Sequence, residues 1–348
     1  MMSILNCNQG SVYNIIKKEV PNGFLPFLNP NWKSILTKFE KHNFSIDNFM
    51  FDRTGSIDHF LNVDKTAAPI PFAGEFNHSF DELVEKRAKE LLAHGRPINV
   101  CWSGGIDSTF VLFCLLHHAN DKDQVKVYGT YNSIIESGNL FDYHIKDKVK
   151  FNIFPNREAE GNFNADEMFV TGSCGNQIFY NDTIYAPTRD GILKYRTSGD
   201  ISSYILHNME TPYEECIEDS WLDFYSEVIR KSERPIKTLQ DFRWFISFNF
   251  KWYTVAYEPL KRQPSYRFKN IHSFFNTEDF QKWSITTKDK ATIVGDYTDE
   301  RWQLRNLISE YTGDSTYSST KKNKTSMLSR NQPEWLFTLS DFSQVEFD

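Results

Sequence analysis

The chain has 348 residues, enough to bury a substantial core in one large domain or two modest ones. Its 39 basic and 46 acidic residues leave a net charge of −7, whereas a protein whose main partner is a phosphate backbone usually carries a basic excess. Aromatic residues reach 16%, with 30 Phe, and a Phe-rich core with aromatic-lined clefts accounts for them better than base stacking does.

The five cysteines, Cys7, Cys101, Cys114, Cys174 and Cys216, form no CxxC pair and no zinc-ligand spacing. An odd, unpatterned set fits a reducing interior. Nothing at the N-terminus resembles a signal peptide, and no apolar run approaches the ~20 residues needed to span a bilayer. The expected location is cytoplasmic, with no membrane partner.

In chain order, residues 1–75 read as an N-terminal extension of unknown role whose clear pattern is a helix near Trp32–His42. The stretch Ala67-Ala68-Pro69-Ile70-Pro71-Phe72-Ala73-Gly74 reads as an extended, turn-rich linker. Residues 76–348 then read as the main domain. Ser79 with Glu82 three residues on predicts a capping box. The helix it opens runs over Phe80–His94, with Leu83, Ala88, Leu91 and Leu92 on one face, and Gly95-Arg96-Pro97 ends it. Ile98–Trp102 reads as a strand, Ile106–His118 as an apolar helix and Val125–Tyr131 as a second strand. His117 and His118 fall at that helix's C-terminus, where a cation favours the dipole. Met168–Thr171 reads as a third strand, followed by a glycine-bearing turn and a helical stretch at Gln177–Tyr180. This order implies an α/β fold with a Rossmann-like parallel sheet. From about Thr211 the pattern is mainly helical and aromatic.

Trp102-Ser103-Gly104-Gly105-Ile106-Asp107-Ser108 links a strand to a helix. Two glycines let backbone approach a ligand closely, and their N–H groups converge at a helix N-terminus that favours phosphate. Ser103 and Ser108 add hydroxyls at the rim. Asp107 is the odd member: a carboxylate beside a phosphate is repulsive unless a cation lies between, and magnesium on pyrophosphate oxygens is the natural one. A chance S-G-G-x-D-S in a chain this long is expected about once in two thousand at average composition.

S-G-G-x-D-S after a strand resembles the signature of the PP-loop, or N-type, ATP pyrophosphatases. The resemblance implies ATP and Mg²⁺ as cofactors, and cleavage of ATP between its α and β phosphates to adenylate a carbonyl oxygen that a nucleophile then displaces. Two later stretches are similar to asparagine synthetase-like members. Thr171-Gly172-Ser173-Cys174-Gly175-Asn176-Gln177-Ile178-Phe179 resembles that family's S/T-G-x-G-x-D-E/Q-x-F segment. Leu304-Arg305 followed by Lys321 repeats the spacing between the family's L-R pair and a lysine that stabilises departing pyrophosphate, and Asn270–Phe275 falls where the family has R-x-P-F-x-D. The resemblance covers about residues 79–330.

Carried over residue by residue, it implies nucleotide contacts from Trp102, Ser103, Gly104, Gly105, Asp107, Ser108, Thr130, Thr171 and Gly172. It further implies metal contacts from Asp107 and Asn176 and a catalytic role for Lys321. Thr130 and Tyr131 fall where the superfamily's backbone contacts adenine. Cys174 stands where the family has glycine. The chain departs from the family in three places: Asn176 replaces a magnesium-binding Asp, Gln177 its neighbouring acid, and Ser173 the Glu expected as general base. Glu136, Asp166 and Glu167 are the nearest acids in sequence that could substitute.

The resemblance therefore implies an AMP- and pyrophosphate-forming ligase that activates a small-molecule or peptide carboxylate for ammonia or an amine. The N-terminal segment is too short for a glutaminase half, and Met1 is followed by Met2 where glutamine-dependent synthetases have a catalytic cysteine. Nitrogen would then come free or from a separate amidotransferase. The alternatives are a nucleotide-binding protein with altered or lost catalysis, and a PP-loop nucleic-acid modification enzyme, which would need a basic groove that the net charge does not indicate.

Overall fold

The computed structural model describes residues 53, 70–153, 166–179, 211–217, 219–250, 252, 255, 270–287, 292–294, 297–299 and 301–318. The helix expected near Trp32–His42, the start of the linker at 67–69, and Lys321 lie outside these residues. The main elements are α1 (Phe80–Leu92), β1 (Ile98–Trp102), α2 (Ile106–His118), β2 (Val125–Gly129), α3 (Tyr131–Glu136), β3 (Lys150–Ile153), β4 (Met168–Thr171) and α4 (Gly175–Phe179). There follow α5 (Asp219–Arg230), α6 (Leu239–Phe250), β5 (Ile271–Ser273), α7 (Glu278–Thr286), β6 (Thr292–Val294), β7 (Tyr297–Asp299) and α8 (Trp302–Thr312). They fall into two compact units. A sheet unit holds 79–153, 166–173, 270–274 and 302–318; a helical unit holds the other described residues.

The sheet unit is an α/β, Rossmann-like fold. Its five strands are all parallel, in the order β3-β2-β1-β4-β5. β1 is central, with Ile98 opposite Val125 on one side and Met168 on the other. Parallel strands covered on both faces read as continuous apolar runs, and β4 is buried at all four positions. α2 is apolar nearly all round because α1 and α8 pack on it and it also meets the sheet. His117 at its end stacks on Tyr311 of α8, ring centroids 4.3 Å apart.

Local signals start α1 where expected, though it ends at Leu92, two residues before the expected His94. Glu82 N–H donates to the Ser79 hydroxyl at 3.2 Å, and Ser79 N–H donates to the Glu82 carboxylate at 2.8 Å. The helix buries Phe80, Leu83, Val84, Ala88 and Leu91, and Gly95 turns the chain away at φ 65°. β2 ends at Gly129, two residues before the expected end. Thr130 instead caps α3, because its hydroxyl accepts from Ser133 N–H while the Ser133 hydroxyl accepts from Thr130 N–H. β3 and β5 were not expected from the sequence. Both are short, partly exposed edge strands defined by their partners, not by an apolar run.

His272 of β5 has its imidazole ring 6.3 Å from that of His94. Burial, with Arg87, His94 and Arg96 nearby, lowers its pKa from 6.5 to about 4. The unfolded chain therefore takes up a proton below about pH 6.5 that the folded chain refuses until about pH 4. Stability present above pH 6.5 should be lost as pH falls toward 4. Thermal melts at neutral pH and in that window should show a smaller acid drop for His272→Gln than for the wild type; equal drops would exclude the effect.

The helical unit is built on aromatic residues, which is where much of the Phe and Trp excess goes. Phe242, Trp244, Phe245 and Phe248 of α6 are each at most 2% exposed. Trp244 stacks on Phe248 at 4.9 Å and donates its indole N–H to Ser284 of α7, whose hydroxyl donates to the Ile178 carbonyl of α4. Arg53 is buried in this core. Its backbone N–H donates to the Asn249 carbonyl, and its guanidinium donates to the Phe248 carbonyl and to Gln281. The same guanidinium lies 4.9 Å from the ring centroid of Phe248 and 4.7 Å from that of Trp252. Among the described residues, no helix is long and apolar enough to cross a membrane.

Candidate functional site

Winding gives the sheet one special position. From β1 the chain moves outward through β2 to β3, then crosses back to β4 and on to β5. The direction reverses between β1 and β4, and open α/β sheets bind ligands beyond the carboxyl ends of the strands at such a point. The loops Ser103–Gly105, after β1, and Gly172–Ser173, after β4, flank it.

The first loop is held from inside. Gly104 has φ 81°, a left-handed conformation that glycine adopts without penalty. Gly105 is an extended N-cap (φ −71°, ψ 162°), so the special conformation expected of both glycines belongs to Gly104 alone. No side chain caps α2 there. Gly105 N–H donates to the Ser103 hydroxyl at 3.3 Å, the two serine hydroxyls lie 2.9 Å apart, and Ser108 donates to the Gly105 carbonyl at 3.1 Å. Ser103 N–H also donates to the Ser108 hydroxyl at 3.0 Å. Each hydroxyl has one hydrogen, so Ser103 must donate to Ser108.

Neighbouring elements leave no space for side chains at two glycines. A Cβ on Gly104 would lie 2.5 Å from the Ser133 carbonyl oxygen and 2.9 Å from the Glu136 Cβ. The Ser137 hydroxyl donates to the Gly104 carbonyl at 2.7 Å. A Cβ on Gly172 would lie 2.7 Å from the Ser108 nitrogen and 3.0 Å from the Asp107 Cβ. Gly172 thus sets the close approach of the β4 loop to the first turn of α2.

Ser103, Gly104, Gly105, Asp107, Ser108, Thr130, Thr171 and Gly172 all lie at the carboxyl ends of β1, β2 and β4 in one unit. Trp102 differs: its indole is 2% exposed, donates to the Thr109 hydroxyl at 3.0 Å and stacks on Phe141. Only its backbone can reach a ligand at the loop. Thr171 is a strand-end anchor, its carbonyl accepting from Phe274 N–H at 2.9 Å. Ser173 is tied down through its carbonyl, which accepts from the Ser273 hydroxyl at 2.6 Å.

The buried phenol of Tyr317 lies near Thr109 of α2. Burial pushes its pKa up, opposed by Arg305 and reinforced by Asp107 and Glu136. Asp107, Glu136, Arg305 and Tyr317 therefore share one electrostatic neighbourhood around Thr109. Of these, the sequence singled out Asp107 for its motif, Arg305 for its place in the L-R pair and Glu136 only as a nearby acid. Tyr317 carried no signal.

Asn176, the second expected metal contact, belongs to the helical unit. Its amide oxygen accepts a hydrogen bond from the Arg301 guanidinium. A guanidinium on that atom would compete with a metal ion for the same lone pairs. Gln177 is buried, with its amide nitrogen 3.5 Å from the Ser247 hydroxyl. Cys174 takes φ 68°, a conformation that suits glycine.

Among the described residues, no three His, Cys, Asp or Glu side chains are grouped to hold a metal ion by themselves. Mg²⁺ with nucleotides commonly uses one or two carboxylates and takes its other ligands from phosphates and water. The glycine turn at Gly104 and Gly105, the start of α2 without a side-chain cap and Asp107 in its first turn fit such a group. Comparison with protein families, with curated proteins and with solved structures finds no match to this chain.

Proposed function

We propose that the protein is a PP-loop, asparagine synthetase-like ligase that consumes ATP and releases AMP and pyrophosphate while joining a carboxylate to ammonia or an amine. The observation that carries this reading is the position of Ser103–Ser108 at the winding reversal, with Gly172 of the second motif packed against Asp107 and Ser108. Cys174 supports the same alignment by holding a glycine-like backbone where the family has glycine.

In this reading the phosphates lie over Gly104, Gly105 and the start of α2, where backbone N–H groups and the helix dipole favour them. Asp107 would hold the magnesium, which when bound would screen the phosphate charge. A carboxylate oxygen attacks the α-phosphorus, the α–β P–O bond breaks, and its electron pair leaves with pyrophosphate. The amine nitrogen then attacks the acyl carbon; AMP departs, and the nitrogen gives up a proton to water. Lys321 would steady the pyrophosphate as a point charge. The carboxylate is a metabolite, an amino-acid side chain or a peptide, and nitrogen comes free, from a substrate amine or from a separate amidotransferase.

Purified protein incubated with Mg²⁺, ATP, ammonium and a pool of carboxylates should release AMP and pyrophosphate, and Asp107→Ala should reduce release by about a thousandfold or more. ADP and phosphate as products would sink the mechanism. One observation favours a second reading, nucleotide binding without turnover: Arg301 engages the Asn176 oxygen expected to ligate metal. ATP binding with no AMP formed from any carboxylate would favour that reading.

A further inference from the structure

Replacement of the family's second magnesium-binding acid by Asn176 leaves a question of charge, which the sheet unit answers from another direction. Three acids are close enough in sequence to substitute, and the fold separates them. Asp166 and Glu167 precede β4, whose first residue Met168 pairs with Ile98, the first residue of β1. They therefore lie at the amino end of the strands, away from the loop. Glu167 is also engaged, accepting from Lys126 at 2.7 Å and from Asn99 at 2.9 Å. Glu136 is at the other end. It closes α3, directly after β2, and α3 is the element that packs on Gly104. Its carboxylate oxygen stands 3.8 Å from where a Gly105 Cβ would be, over the N-cap of α2.

Such a position has a simple explanation without any ligand, since a carboxylate near a helix N-terminus is stabilised by the dipole. That explanation and phosphate binding exclude each other unless a cation intervenes, because phosphate would take the same N-terminus. Asp107 poses the same problem from the first turn of α2. Two carboxylates bordering one phosphate-binding loop are suited to serve as ligands, direct or through water, of a triphosphate's cation.

Resting on the ligase reading above, we infer that Glu136 supplies the second carboxylate for the divalent cation of a nucleoside triphosphate bound on this loop, in place of the acid missing at Asn176. The metal shell would then be assembled within the sheet unit, from α2 and α3. Asn176 and Arg301 would be left outside it.

The test is ATP binding by calorimetry, with excess Mg²⁺ and with chelator, for wild type, Asp107→Asn, Glu136→Gln and Glu136→Asp, with melting curves to verify folding. A metal ligand and a helix cap respond differently. In Glu136→Gln, affinity for Mg·ATP should fall while affinity for metal-free ATP rises, because a repulsive charge is gone; the ratio of the two should drop about tenfold or more. Glu136→Asp should restore part of the ratio. Manganese in place of magnesium gives a second readout: the paramagnetic signal of Mn·ATP on the protein should change in Glu136→Gln. An unchanged ratio and Mn²⁺ signal, with Asp107→Asn still losing its metal dependence, would overturn the role of Glu136 and leave the ligase reading intact. Failure of wild-type protein to bind ATP under either condition would overturn both.

Discussion

Gly104→Ala should cost about 3 kcal/mol of stability and, on the proposed reading, weaken Mg·ATP binding. Three effects add. At φ 81° an L-residue is strained by roughly 1 kcal/mol. The new methyl would sit 2.5 Å from the Ser133 carbonyl oxygen, a backbone atom that cannot rotate away. Any shift of the loop to relieve that contact disturbs the bond from the Ser137 hydroxyl to the Gly104 carbonyl. Neighbouring glycines give the contrast. Gly105→Ala has a permitted φ and meets only side-chain oxygens, the Ser103 hydroxyl at 3.3 Å and the Glu136 carboxylate at 3.8 Å, so its loss should be smaller. Gly138→Ala meets nothing within 4 Å and should be neutral or slightly stabilising. Urea unfolding and nucleotide titration of the three variants check the ranking; a Gly104→Ala protein as stable as Gly138→Ala would contradict the loop geometry.

Arg53→Ala should destabilise the helical unit by roughly 3 kcal/mol. The guanidinium lies between two aromatic faces while donating to Phe248 and Gln281, so its removal leaves both a cavity and two buried acceptors short of a donor. Lysine lacks the planar fork and should recover only part of the loss. A cost below about 1 kcal/mol in urea unfolding would mean the contacts are replaceable. The position also bears on residues 1–75, for which the sequence offered no role: at least Arg53 of that stretch is a core residue of the helical unit.

What the sequence made legible follows from where each element gets its stability. β1, α2 and β4 carry their signals internally, as buried apolar runs around a glycine turn, and their predicted limits match the structure. α1 announced itself through Ser79 and Glu82 because a cap is a local interaction. Thr130 and Tyr131 misled because both residue types favour strands, while the bond that decides their conformation is made with Ser133. β3 and β5 exist through pairing with residues far along the chain, which no local pattern encodes. For the site, the motif located the loop and its glycines, but not which glycine needed its freedom. The packing of Glu136 on the loop and of Tyr317 near Thr109 depends on how α3 and the turn after α8 fold back, and that is invisible in one dimension.

The closed circuit of hydrogen bonds through Ser103, Ser108 and Gly105 has a kinetic consequence. Its oxygen atoms are already held by one another, so admitting a phosphate as proposed would require the Ser103 hydroxyl to swing its hydrogen outward, with no change of the chain trace needed. Hydroxyl rotation takes picoseconds to nanoseconds, far faster than diffusion delivers a nucleotide. Capture at this loop would then be governed by collision frequency and charge steering, not by waiting for the loop to open.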